Sequence, residues 1–387
     1  MRDLLTRAFE ALEKISLADE VAQSLPERPE RWRAIAIGKA APQMLEGAVA
    51  AWGKPDAGVM VTPDGTGITS LVVPVLRAAH PVPDARSVDA AERCLQIARS
   101  CGADGVPLLV LISGGASALV CAPANGITLA DKRVLTETLL RSGATIHEIN
   151  RVRRRLSTIK NGWLAHAAGG AKVVTRVVSD VIGGTAADVG SGPTLPKEDT
   201  TSAVHGLLRR FAPTLSALPI AQVPVVPRGD VAIVASPESV AHALAYALEA
   251  KELEPSVESV EALAAETIAL AKTAKPGAVF VRAAEPSLVV PKRAKRGGRS
   301  THLVALVARD LPAGATFAAI ATDGVDGTSD TGGAWVKGGI GVAERRELEA
   351  AIAKLDTGGL FLSWGCALEG RPTGRNFADM HVLAVHD

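Results

Sequence analysis

Residues 106–119 read Val106-Pro-Leu-Leu-Val-Leu-Ile-Ser-Gly-Gly-Ala-Ser-Ala-Leu119. Up to Ile112 the stretch carries no polar side chain, so it reads as a strand buried on both faces, the pattern of a parallel sheet covered by helices. From Ser113 it opens into a Ser-Gly-Gly turn and continues as a small-residue helix. Glycines leave main-chain amides bare and hydroxyls stand beside them, at the strand end where open parallel sheets bind ligands. The stretch therefore predicts a fold class and, in Ser113, Gly114, Gly115 and Ser117, a phosphate or nucleotide site.

The same order of strand, glycine turn and helix recurs on either side. Upstream, Arg33-Ala-Ile-Ala-Ile37 precedes Gly38-Lys39-Ala-Ala and an Ala/Met/Leu helix; downstream, the run from Ala171 to Asp180 precedes Gly183-Gly184. Strands alternating with helices predict an α/β protein whose mainly parallel sheet is flanked by helices. Residues 1–25 read as one helix with Leu4, Leu5, Ala8, Leu12 and Ile15 along a face, closed by Pro26. Between about 211 and 230 the chain turns Pro-rich (Pro213, Pro219, Pro224, Pro227) before restarting with Val231-Ala-Ile-Val-Ala235. A boundary near residue 226 divides a larger N-terminal α/β domain, 1–225, from a smaller α/β domain, 226–387. In the second, Ala315–Thr322 and Gly359–Trp364 read as strands.

Composition narrows the partners. A net charge of +1 removes any bulk electrostatic case for nucleic acid, and 3% aromatic residues supply no stacking platform for single strands. Small molecules are the expected partners. Four cysteines in 387 residues, with no C-x-x-C pair, are too few for a disulfide framework. The first ten residues carry acids early rather than a basic-then-apolar leader, and no apolar run reaches the roughly 18 residues of a membrane helix. The expectation is a soluble, cytoplasmic protein with no membrane partner, leaving room for a homodimer.

Several polar residues sit where chemistry is done. Lys39 follows a buried strand at a helix start, where a point charge with three donors meets a phosphate or carboxylate; its bland alternative is a solvated lysine. Asp180 ends a strand-like run, a place for a Mg²⁺ ligand or a proton acceptor, and equally for a helix N-cap. Ser191-Gly192-Pro-Thr194 offers hydroxyls and a free amide, or simply a turn. Asp323, Asp326 and Asp330 recur with glycines after a strand, suiting a divalent ion or a nucleotide, or an Asp-Gly turn series. Two basic runs, Arg151 to Lys160 and Lys292 to Arg299, read as solvated faces or anion clamps rather than a nucleic-acid patch. Neither G-x-x-x-x-G-K-[ST] nor G-x-G-x-x-G occurs, and the eight histidines show no paired metal spacing.

Seven blocks in order, Ile37-Gly-Lys-Ala40, His80-Pro-Val-Pro-Asp84, Ser113-Gly-Gly-Ala-Ser117, Leu156-Ser-x-Ile-Lys160, Ser179-Asp-Val181, Ser191-Gly-Pro-Thr194 and Thr322-Asp-Gly-Val-Asp-Gly327, together resemble the glycerate 2-kinase family. That resemblance implies an N-terminal α/β domain, a smaller MOFRL-type C-terminal domain and an active site in the cleft between them. It implies ATP and Mg²⁺ as cofactors, phosphorylation of the 2-hydroxyl of D-glycerate, and relatives labelled hydroxypyruvate reductase. Carried onto this chain, it makes Lys39, Asp180 and Arg299 catalytic. Ser113, Gly114, Gly115, Ser117, Ser191, Gly192 and Asp323 become phosphate or nucleotide contacts, with Asp180 and Asp323 the metal ligands. The chain departs from the family pattern where Gly183-Gly184-Thr185 replaces Gly-Asp-Asp, losing two metal-site carboxylates, and where Arg154-Arg155 replaces Lys-His. Further departures fall at Gly297-Gly-Arg-Ser-Thr-His302 and Gly370-Arg-Pro-Thr-Gly-Arg-Asn376. An NAD(P)-dependent hydroxypyruvate reductase and a non-catalytic phosphometabolite-binding protein are the competing readings.

Overall fold

A computed structural model describes residues 2–65, 72–142, 144–289 and 295–386. The chain divides into two compact units, one of residues 16–179 and 184–235, the other of residues 1–15, 180–183 and 236–387.

The first unit is built on the predicted parallel sheet. Its strands are β1 (Arg33–Ile37), β2 (Ala57–Pro63), β3 (Val75–Ala78), β4 (Leu108–Ile112), β5 (Val173–Val178) and β6 (Asp230–Ala235), in the order β3-β2-β1-β4-β5-β6. All five ladders are parallel, and β1 sits between β2 and β4 with Ile37 opposite both Val61 and Ile112. Every residue of β4 is buried, so its side chains pack against helices on both faces. Helix Ala85–Asp104 lays Ala90, Ala91, Cys94, Ala98 and Cys101 into that core, starting at a capping box on Asp84 and Ser87 and stopping at Gly105 in the left-handed region. β6, the run read as lying just past the boundary near residue 226, hydrogen-bonds along β5 as the edge strand of this sheet.

The second unit holds a mixed sheet of β7 (Lys251–Glu252), β8 (Val279–Ala284), β9 (Ala315–Ala321), β10 (Thr331–Lys337), β11 (Ala367–Glu369) and β12 (Asp379–Val385), ordered β11-β10-β9-β12-β8-β7. Its ladders are antiparallel except that between β7 and β8. Helix Arg299–Ala308 is buried from Ser300 to its end.

Two expectations fail for local reasons. Gly359–Trp364 is not a strand but part of helix Thr357–Ser363, which buries Thr357, Gly358, Leu360 and Phe361; so short an apolar run does not separate the two periods. The helix expected over residues 1–25 is two, Arg2–Glu13 and Leu17–Ser24, because the Ser16 hydroxyl accepts from the Asp19 amide at 3.2 Å and caps a new start. Among the described residues, no helix is long and apolar enough to cross a membrane. All four cysteines are free thiols.

Candidate active site

In the strand order of the first sheet, the chain leaves β1 toward β2 and leaves β4 toward β5, so connections diverge between β1 and β4. Ligands of open parallel sheets bind at such a switch point, beyond the carboxyl ends of the strands. The two turns there are laced together: the Ser113 amide donates to the Ile37 carbonyl at 2.9 Å, the Lys39 amide to the Gly114 carbonyl at 3.0 Å, and the Ala40 amide to the Ser113 hydroxyl at 3.0 Å. Gly38, at φ +126°, is required by that approach, since a Cβ would stand 2.2 Å from Ser113 Oγ. Ser113 is buried and its hydroxyl is committed to this tie.

The next contacts extend the assembly. Gly115 takes φ +86° and starts the short helix Ala116–Leu119. The Ser117 hydroxyl lies 3.1 Å from that of Ser191, which donates to Asn150 Oδ1 at 2.9 Å, while Asn150 Nδ2 donates to the Asp188 carbonyl at 3.2 Å. Gly192, at φ +65°, gives its carbonyl to the Gly162 amide at 2.8 Å. Lys39, Ser113, Gly114, Gly115, Ser117, Ser191 and Gly192 thus share one unit and one set of interlocked turns. Asn150 was missed in the sequence; its place next to the basic run at 151–155 drew attention to charge, not to an amide bridging two loops.

Asp180, Arg299 and Asp323 belong to the other unit. Asp180 lies two residues beyond the end of β5, and is partly exposed. Asp323 follows β9, where its Oδ1 accepts from the Val325 amide at 3.1 Å. Asp326 is a helix cap: its two carboxylate oxygens accept from the Ser300 and Thr301 amides, each at 2.9 Å. Arg299, the first residue of that helix, donates through Nε to Asp379 Oδ2 at 2.9 Å and through Nη1 to Glu285 Oε1 at 2.9 Å. Burial pushes the Asp379 carboxyl up to about 6 against the pull of Arg299, with Asp326 and Glu285 adding to the rise. Neither partner of Arg299 was legible, being brought in by β12 and the end of β8.

Among the described residues, no cluster of three or more His, Cys, Asp or Glu could hold a metal ion. Mg²⁺ needs only one or two protein carboxylates when phosphates and water complete its shell. One or two carboxylates, such as Asp180 or Asp323, are as many as a nucleotide-borne Mg²⁺ would ask of the protein.

The first basic run is no solvated face. Arg154 is buried, with Nε on Asp199 Oδ2 at 2.8 Å and Nη1 on Asp188 Oδ1 at 3.4 Å, and Lys197 Nζ meets the same Asp188 oxygen at 3.0 Å. Arg155 is buried too, donating to the Ala221 carbonyl at 2.8 Å and to that of Asp199. These acids come from later loops, which no charge count along the run reveals. In the second run, Lys292 and Arg293 lie outside the described residues, while Lys295 pairs with Asp356 at 3.5 Å.

Comparison with known proteins agrees with this architecture. A family model described as Domain of unknown function (DUF4147) matches residues 3–223, and one described as MOFRL family matches residues 278–379. An Agrobacterium vitis protein named "Putative hydroxypyruvate reductase" is 33% identical, across 99% of this chain and 94% of its own length. A "Glycerate 2-kinase" of Pyrococcus horikoshii is 41% identical over 43% of this chain and 37% of its own. The crystal structure of glycerate kinase from Thermotoga maritima superposes with a TM-score of 0.85 at 25% identity, covering 99% of each chain. A DUF4147 segment over more than half the chain, followed by a MOFRL segment on the second sheet, places this protein in the glycerate 2-kinase family.

Proposed function

We propose that the protein is an ATP-dependent kinase that phosphorylates the 2-hydroxyl of D-glycerate to give 2-phosphoglycerate and ADP. The observation that carries this reading is the pair of glycine turns after β1 and β4, tied at the sheet's switch point with Lys39 between them. In the transfer, the 2-hydroxyl oxygen forms a bond to the γ-phosphorus, the bond to the β–γ bridging oxygen breaks, and the hydroxyl proton passes to a carboxylate. Catalysis is then positioning and charge neutralisation. Lys39 offsets charge on the transferring phosphoryl, while the Ser117 hydroxyl and the amides of Gly114 and Gly115 hold phosphate oxygens; the Ser191 hydroxyl and the Gly192 amide, expected as further contacts, are spent on Asn150 Oδ1 at 2.9 Å and the Val189 carbonyl at 3.1 Å and brace the turn instead. Arg299, held by two carboxylates, contributes a directed guanidinium. Asp180 and Asp323 are the carboxylates that would hold a Mg²⁺ ion and orient the attacking hydroxyl, and the ion would supply positive charge against the phosphates.

A reductase reading has one observation in its favour: the β3-β2-β1-β4-β5-β6 order is shared with dinucleotide-binding sheets. Against it, the turn after β1 is Gly38-Lys-Ala-Ala, without the glycine spacing that admits a pyrophosphate there. One experiment separates them: ADP formation with ATP, Mg²⁺ and D-glycerate, beside NAD(P)H loss with hydroxypyruvate. The kinase reading expects the first alone, and expects ATP with Mg²⁺ at 100 times its Kd to stabilise the fold by about 2.7 kcal/mol. Reductase turnover with no ADP formed overturns it.

A further inference from the structure

Beside Ser117 in the first unit lies a narrow recess that three cations line, Lys132, Arg153 and Lys160, together with Cys121 and two prolines; its enclosed part measures about 10 Å³, no more than a water needs. Among the described residues, no Asp or Glu lines it. Lys160 is buried and donates to the carbonyls of Ser117 at 2.8 Å and Val120 at 2.9 Å; Lys132, also buried, donates to the Leu156 carbonyl at 3.2 Å. An ammonium has three donors, so each lysine keeps at least one unused. Arg153 differs from its neighbours in the same helix. Arg151, Arg154 and Arg155 each hold a partner, whereas Arg153 has no hydrogen bond or ion pair among the described residues.

The cations are short of counter-charge. Burial pulls the Lys160 ammonium down to about 7, with the Lys132 and Arg153 charges adding to the fall and Cys121 opposing it. Burial likewise pulls Lys132 down to about 8 and Arg153 to about 10. His80, next to the pocket's prolines, is held down at about 4 by burial, then by Lys39 and Arg153. Buried charges are costly unless paired, so such a cluster persists where an anion completes it. A guanidinium fork matches a carboxylate with two parallel hydrogen bonds. The pocket also adjoins the proposed phosphate site: Lys160 grips the Ser117 carbonyl, and a Cβ on Gly115 would lie 3.3 Å from the His80 ring and 3.7 Å from Lys39 Cγ.

We propose that the carboxylate of the acceptor acid binds across the mouth of this recess, with the partly exposed Arg153 as its bidentate partner and the buried Lys132 and Lys160 completing the charge beneath it. The naming of the acid rests on the kinase reading above; the anion site itself does not. The test pairs steady-state kinetics with calorimetric titration of D-glycerate in the absence of nucleotide, for the full-length wild type, Arg153→Met and Arg153→Lys. Arg153→Met should raise both the KM and the Kd of D-glycerate by about 10- to 100-fold and leave the KM of ATP within about twofold, with Arg153→Lys between. Should Arg153→Met fail to fold, Cys121→Asp carries the test, since an internal carboxylate beside the three cations should displace D-glycerate without lowering the melting temperature. Unchanged D-glycerate affinity in a folded variant overturns the assignment, as does a loss confined to ATP. Wild-type protein that binds D-glycerate through Arg153 but never phosphorylates it leaves the pocket standing and removes the kinase reading. Turnover indifferent to Arg153 does the reverse.

Discussion

Arg299 Nε donates to Asp379 Oδ2 at 2.9 Å, across 80 residues of sequence, and fastens the first turn of a buried helix to the first residue of β12. Asp379 is buried, while a third of the Arg299 side chain reaches solvent and Glu285 supplies a second carboxylate. Removing one partner of a buried pair typically costs 3–5 kcal/mol because the other charge is stranded. Here Glu285 and solvent retain Arg299, so Asp379→Ala should cost about 2–3 kcal/mol, read from urea denaturation. A loss below about 0.5 kcal/mol would mean the pair does not fasten the helix.

Acid should loosen the first unit through Asp188. Burial opposes ionisation of this carboxyl, yet the Thr185 amide and hydroxyl and the Lys197 ammonium outweigh it and hold the group at about 2, below its ordinary 3.8. A depressed folded value means the unfolded chain binds more protons, so the stability is fully present above 3.8 and is lost as pH falls to about 2. At about 1.4 kcal/mol per unit, that is roughly 2 kcal/mol. Urea midpoints followed from pH 5 to pH 2 should fall less steeply in Asp188→Asn than in the parent. Parallel profiles would show that Asp188 does not carry the acid sensitivity.

The parallel sheet was legible because its signal is local: Val106–Ile112 is apolar without a break and ends in Ser113-Gly114-Gly115, so strand, turn and burial on two faces follow from one stretch. The same holds for Ile37-Gly38-Lys39, whose close approach to Ser113 is a consequence of two parallel strands ending side by side. What was not legible depends on partners distant in sequence. β6 is an edge strand by virtue of its ladder to β5, and nothing within Asp230–Ala235 specifies that neighbour. Arg153 and Arg154 are adjacent in one helix, but Asp188 and Asp199 arrive from later loops to neutralise Arg154 and leave Arg153 facing a pocket. Asp326 and Asp323 look alike in the Asp-Gly series until the helix starting at Arg299 brings its amides to Asp326 alone.

Lys39 is the residue on which the proposed chemistry turns. It follows the end of β1, its amide is tied to Gly114, and it comes within reach of Gly115, so its backbone position is fixed by the same turns proposed to hold phosphate. If its ammonium neutralises the transferring phosphoryl, its contribution is larger in the transition state than in the ground state, so the loss should appear in kcat rather than in the KM of ATP. Removing one preorganised charge stabiliser costs about 2.7–4 kcal/mol of barrier, so Lys39→Ala should lower kcat by roughly 100- to 1,000-fold. Circular dichroism and the D-glycerate Kd, measured beside the kinetics, distinguish this from a fold defect, because an intact Arg153 pocket should still take the acid. Parent-level kcat in folded Lys39→Ala would remove Lys39 from the reaction and leave Arg299 as the cation to be tested.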